Sequence, residues 1–307
     1  MSFSQDIKSE ICERRITRPC CAKAASYAAA CFGRYFDDRG VVVQTELQAA
    51  AQFIRRMYQL AGIQGTVEER ERGDGYFYEF SVKEPAEVQK MLAAFGHTGQ
   101  ETNLQINPKN IACGNCVSAF IATAFLCGGT ATDPKKEYTL EFITSRFNLA
   151  RDFEALLAEH EFAPHRTQRK GSNVVYVKAS EQVEDLLTFM GASIAALSLM
   201  NDKIYKDLRN KANRLTNCET ANMDKTAVAN AQSSRAIRYL QQQGALKALS
   251  EELQQAARLR LEHPESSLAQ LAQEFQPPIS KSGLAHRLKK LETIAKQMQE
   301  KEREQDV

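Results

Sequence analysis

Several absences bound what this chain can be. Its opening, MSFSQDIKSEI, is polar and charged and lacks the apolar core of a signal peptide. The longest uncharged apolar run, Val117 to Thr132, is broken by Ser, Thr and Gly and falls short of a membrane span. Both point to a cytoplasmic protein without membrane partners, whose eight cysteines are expected to be reduced thiols. There is no glycine-rich phosphate loop, nucleophile elbow or Ser-His-Asp pattern, so the common nucleotide-binding and hydrolytic chemistries find no support. His97, His160, His165 and His263 show no ligand spacing and are expected at the surface. The net charge is only +2, which excludes a uniformly basic, nonspecific polyanion binder.

The charge is unevenly placed. Residues 201–307 carry 18 Lys or Arg against 14 Asp or Glu, whereas residues 1–200 carry 22 against 24. Inside the basic part lies SSLAQLAQEFQPPISKSGLAHRLKKL, Ser266 to Leu291. Leu268, Leu271, Ala272 and Phe275 recur at i, i+3, i+4 and i+7, the spacing of one helix face. Ser267 with Gln270 makes a capping box, and Pro277 and Pro278 end the segment. Ser280 caps a second helix, with Ile279 and Leu284 as a hydrophobic staple. Leu284, Leu288, Leu291 and Met298 continue its buried stripe. At 100° per residue, Ser282, His286, Lys289 and Lys290 fall opposite that stripe, flanked by Lys281 and Arg287. Ser280 to Leu291 holds four Lys or Arg and no acid. Two capped helices, a tight turn and a basic outer face together describe a helix-turn-helix for double-stranded DNA. Ser282, His286 and Lys289 are assigned to base edges, and Lys281, Arg287 and Lys290 to phosphates. Ser280 and Ala285 complete the expected DNA-facing set.

The first two-thirds repeats itself. AASYAAACFGRYF from Ala24 matches VSAFIATAFLCGGT from Val117, and VVVQTEL from Val41 matches YTLEFIT from Tyr138. AAAQFIRRMYQLAG from Ala49 matches LARDFEALLAEH from Leu149, YFYEFSV from Tyr76 matches NVVYVKA from Asn173, and EVQKMLAAFG from Glu87 matches QVEDLLTFMG from Gln182. The order is kept at offsets of roughly 95 residues. Each half reads helix, strand pair, helix, strand pair, helix. The fold class is therefore α+β: a duplicated αββαββα saddle, residues 1–200, with the two small-residue helices packed on a pseudo-two-fold axis. Because the duplication already supplies a two-fold, a monomer is expected. A basic helical linker, 201–223, follows, with Lys203, Lys206, Arg209 and Arg214 as candidate phosphate contacts. An all-α helix-turn-helix domain, 224–307, completes the chain. Its first helix opens at Asn222 or Asp224, another covers Leu253 to Leu261, and the terminal KEREQDV is expected to fray.

With ISKSGLAHRLKKL, the linker RNKANRLTNCETAN followed by KTAVANAQ, and the opening MSFSQDIKSE with CCAKA, the chain resembles the WhiA family over essentially its whole length. The resemblance implies a bacterial DNA-binding transcriptional regulator tied to cell division, chromosome segregation or sporulation. It also implies a LAGLIDADG homing-endonuclease-like first domain, nucleoid association, and other transcription proteins as candidate partners. Nucleases of that fold carry a metal-binding acid at the end of each central helix. The repeat aligns those positions with Gly33 and Gly129, which offer no ligand, while Asp37, Asp38 and Asp133 lie beyond the helix ends. The expectation is a non-enzyme without cofactor. The alternatives are a divalent-metal-dependent endonuclease, or a module that binds protein or small ligands on the saddle. Cys113-x-x-Cys116 and the adjacent Cys20 and Cys21 are read as small buried thiols rather than zinc ligands, since neighbouring cysteines suit a tetrahedral site poorly. No metal site is expected.

Overall fold

A computed structural model describes residues 2–73 and 75–305. The chain divides into two compact units, Met1–Asp207 and Leu208–Val307, each with its own apolar core.

The first unit opens with α1 (Phe3–Glu13), an element the sequence reading did not identify. Ser2 and Gln5 form its capping box, and Ile7 and Ile11 are buried. The duplicated body follows. Its first half runs α2 (Pro19–Phe32), β1 (Tyr35–Asp37), β2 (Gly40–Thr45), α3 (Gln48–Leu60), β3 (Thr66–Arg72), β4 (Gly75–Val82) and α4 (Pro85–Phe95). The second runs α5 (Gly114–Gly128), β5 (Gly129–Ala131), β6 (Thr139–Thr144), α6 (Phe147–Glu159), β7 (His165–Arg169), β8 (Ser172–Lys178) and α7 (Ser180–Met190). The predicted αββαββα order appears twice. Each half builds a four-stranded antiparallel sheet with the same order, β1-β2-β4-β3 and β5-β6-β8-β7. The registers agree too: Val43 faces Phe80 in one sheet and, at the equivalent positions, Leu140 faces Val177 in the other.

Helices α2 and α5 pack along each other at the centre of this unit. Both are buried nearly all round, as expected of helices almost without charge. Ala24, Ala25, Ala28 and Ala29 on α2, and Ala119, Ala122 and Ala124 on α5, are all buried, and their small side chains permit close backbone approach.

The expected break near Asn222 is absent. One helix, α8, spans Ser193–Gln242. No Pro or Gly occurs between Gly191 and Gly244, so nothing forces an interruption. Asn222 and Asp224 stay exposed in the helix instead of capping a new one. At its start, the Ile194 and Ala195 amides donate to the Glu10 carboxylate of α1 at 2.7 and 3.0 Å, satisfying free helix-end donors with a charge of the favourable sign.

In the second unit, Ile237 and Leu240 of α8 join α9 (Glu251–Glu262), α10 (Leu268–Gln273) and α11 (Lys281–Gln305) around one core. Leu253, Ala256, Leu271, Phe275, Leu284, Leu288 and Leu291 fill it. Helix α11 stays helical through Gln305, further than the expected fraying of the tail implied. Asp306 and Val307 lie outside the described residues.

Candidate nucleic-acid interface and the central helix pair

The α10–α11 pair is assembled by local signals. The Ser267 hydroxyl accepts from the Gln270 amide at 3.3 Å, and the Gln270 side chain accepts from the Ser267 amide at 2.9 Å. The Ile279 amide donates to the Ala272 carbonyl at 3.0 Å, folding the turn back onto α10. The Ser280 hydroxyl accepts from the Gly283 amide at 3.1 Å and caps α11. With Leu284, Leu288 and Leu291 buried, the opposite face is presented outward: Ser280, Lys281, Ser282, His286, Lys289 and Lys290 are exposed, and Ala285 is half-buried. Among the described residues, no carboxylate pairs with Lys281, Lys289 or Lys290.

Arg287 is the exception within the predicted set. Its guanidinium donates to Glu252 of α9 at 3.0 and 3.3 Å and lies 5.7 Å from the centre of the Phe275 ring. It braces α11 against its neighbours, which leaves it less free for a phosphate than the sequence suggested.

Arg260, unremarked in the sequence, is fully buried. One guanidinium nitrogen donates to the Ser266 carbonyl at 2.8 Å and so holds the approach to α10. Its periodicity places it on the apolar face of α9, a signal easily read as a mere interruption.

The predicted linker cations divide. Lys203 pairs with Glu181 and lies 4.0 Å from Glu184, both on α7. Lys206 donates to the Lys136 carbonyl at 3.4 Å and sits over the Tyr138 ring. These two serve the first unit. Arg209 and Arg214 are exposed in the second.

At the C-terminal ends of α2 and α5, Gly33 and Gly129 are the capping residues, where the repeat aligns them. Both are tightly enclosed. A Cβ on Gly33 would meet the Val42 carbonyl oxygen at 2.7 Å and the Ala29 carbonyl oxygen at 2.8 Å. On Gly129 it would collide with the Phe125 ring and lie 2.6 Å from the Phe125 Cα. Arg146, at the N-terminus of α6, donates to the Cys31 carbonyl and, at 3.1 Å, to the Gly33 carbonyl. A cation therefore covers the negative end of α2. Two of the three nearby acids are also engaged. Arg39 pairs with Asp37 and holds its carboxyl below the usual range, and Asp133 accepts from the Lys135 amide in a turn.

At the N-terminal ends of the same helices, cysteines distant in sequence come together. Cys20 and Cys21, in the first turn of α2, converge with Cys113, the cap of α5, and Cys116 in its first turn. All four sulfurs lie within 4.8 Å of one another. Consecutive sulfurs in the cluster are 4.0 Å (Cys20–Cys21), 4.0 Å (Cys21–Cys113), 3.3 Å (Cys113–Cys116) and 3.8 Å (Cys116–Cys21) apart. Hydrogen bonding from Cys116 draws the Cys113 thiol down to about 7, while burial pushes Cys21 and Cys116 up. His97 also departs from expectation: its side chain is 8% exposed. It stacks on Tyr27, shares a 2.9 Å hydrogen bond with the Tyr27 hydroxyl, and burial lowers its pKa.

Residues 212–295 match a family model described as the WhiA C-terminal HTH domain, and residues 117–209 one described as the WhiA LAGLIDADG-like domain. The chain is 32% identical over 309 residues to "Probable cell division protein WhiA" of Ruminiclostridium cellulolyticum, covering 97% of this chain and 98% of the relative. It is 36% identical over 228 residues to the protein of that name from Clostridium botulinum, covering 73% and 72%. The crystal structure of full-length DUF199/WhiA from Thermotoga maritima superposes with a TM-score of 0.61 at 19% identity, over 97% of this chain and 99% of that one, and so shares its fold.

Proposed function

The chain belongs to the WhiA family, and we propose that it is a sequence-specific, double-stranded-DNA-binding transcriptional regulator serving cell division, with a first unit that does not cut DNA. The observation that carries this reading is the outer face of α11. Lys281, Ser282, His286, Lys289 and Lys290 stand exposed on a helix whose other face is fixed in a core. The N-terminal half of such a helix fits a major groove. Ser282, His286 and Lys289 reach for base edges; Lys281 and Lys290 take phosphates, with gain from counterion release. Arg209 and Arg214 extend the phosphate contacts. Candidate partners beyond DNA are other transcription proteins.

The non-catalytic reading rests on Gly33, Gly129 and Arg146. Phosphodiester cleavage of this type needs acids that hold divalent metal near the scissile bond. The two aligned positions have no side chain and no room for one, and a guanidinium lies beside the first. Among the described residues no carboxylate cluster offers three ligands.

The test is binding of the purified protein to a pool of genomic fragments at near-physiological salt, with and without magnesium. Selective enrichment of a few intact fragments is the expected result. Magnesium-dependent cutting would overturn the non-catalytic assignment, and absence of enrichment would overturn sequence-specific reading.

A further inference from the structure

We propose that Cys20, Cys21, Cys113 and Cys116 bind one zinc ion that clamps together the N-terminal ends of α2 and α5.

The geometry fits a single tetrahedral ion. Thiolates about 2.3 Å from such an ion lie about 3.8 Å from one another. Four of the six sulfur–sulfur separations, 3.3 to 4.0 Å, bracket that edge. With every sulfur within 4.8 Å of the others, the space between them suits one ion and is too small for a multi-iron cluster. Four thiolates with no other ligand type select a thiophilic, tetrahedral metal, and zinc is the ion that closes such a site structurally.

Adjacent cysteines supply two corners because they sit in a helix. Cys20 and Cys21 occupy the second and third positions of α2. Successive helical side chains diverge by about 100°, which separates their sulfurs by 4.0 Å. The duplication supplies the rest. Cys21 and Cys116 are both third residues of their helices and lie 95 residues apart, the offset of the repeat. They hold the same position in their helices and are brought face to face by the packing of α2 on α5. Cys20 and Cys113 break the symmetry, one from the second helical position and the other from the cap.

The surroundings suit a zinc tetrathiolate of net charge −2. The cluster lies at the N-terminal ends of two helices, the positive ends of their dipoles. Arg14 lies near Cys21 and is fixed by its bonds to the Met190 carbonyl at 2.6 Å and the Ser118 hydroxyl at 3.0 Å. Cys21 and Cys116 are buried, and Cys20 and Cys113 are partly exposed, so the site is open to loading from one side and shielded on the other. Binding replaces the thiol protons, which leave to solvent.

The full-length protein, produced with added zinc and purified under thiol reductant, is assayed for metal content. The metal is then stripped and cobalt(II) titrated in. Expected are about one zinc per chain and, with cobalt, the intense ligand-field and sulfur-to-metal charge-transfer bands of a tetrahedral tetrathiolate. Both are lost in the double variant Cys113→Ser/Cys116→Ser and kept in Cys218→Ser, whose thiol is exposed on α8. If the double variant does not fold, the cobalt spectrum of the unmodified chain decides alone. Absence of stoichiometric zinc with no thiolate charge-transfer band overturns the proposal, as does zinc retained undiminished in a folded double variant.

Discussion

The linker and helix-end cations of the first unit contrast with the outward lysines of α11 in the second. In the first, Arg14, Arg146, Lys203 and Lys206 are each spent on carbonyls or carboxylates of the same unit. In the second, α11 directs Lys281, Lys289 and Lys290 outward with no carboxylate paired to them among the described residues. Numbers of Lys and Arg therefore say little about where a polyanion binds; what matters is whether each cation already has a partner. The first unit holds the match to the LAGLIDADG-like family model, and its central helix ends are occupied by glycine contacts and, at α2, a guanidinium. The second has a small core and a helix whose outer face is unclaimed.

This contrast can be broken most forcefully at Gly129. In Gly129→Asp, the Cβ has to displace Phe125, including its Cα, at a cost on the order of 3 kcal/mol in unfolding free energy. Denaturant unfolding measures it. A variant as stable as the parent that also cuts DNA with magnesium would show that the first unit keeps a usable nuclease frame.

The outward face of α11 is sharpened by a pair of variants. His286→Ala is expected to weaken the preferred site by about 1–3 kcal/mol and random DNA hardly at all. Lys290→Ala is expected to weaken all sequences alike and to flatten the dependence of log affinity on log salt by about 0.9. Binding titrations at several salt concentrations separate the two. Equal losses on specific and random DNA for His286→Ala would move it off the base edges.

The smallest effect concerns the first unit's interior. Burial lowers the pKa of His97 from its ordinary value of 6.5, so the folded state favours the neutral ring. Its contribution is fully present above pH 6.5 and is lost as pH falls through the depressed folded value. The melting temperature should decline over that acidic range, and His97→Gln should flatten the decline. An unchanged profile in the variant would assign the acid sensitivity to other groups.

What was legible beforehand was what neighbouring residues decide. The Ser267 capping box, the buried stripe of α11 and the Ser280 cap are set within a few residues, and the structure places them as read; α10 ends at Gln273, short of Phe275, which is nonetheless buried. The duplication was legible because the same local patterns recur in the same order. The continuity of α8 was misread because Asn222 and Asp224 are good caps but equally tolerable on an exposed helix face, and only the lack of Pro or Gly argued for continuity.

The sequence by itself therefore determined the elements, their order, their repetition and the polarity of each helix face, since these follow from short-range sterics and burial patterns. Tertiary structure alone decided which distant groups meet. Arg287 finds Glu252 across 35 residues, and Cys21 finds Cys116 across 95. His97 is buried against Tyr27 from 70 residues away. Such meetings are set by how helices and sheets pack, and a side chain becomes a brace, a ligand or a free contact only once packing has chosen its neighbours.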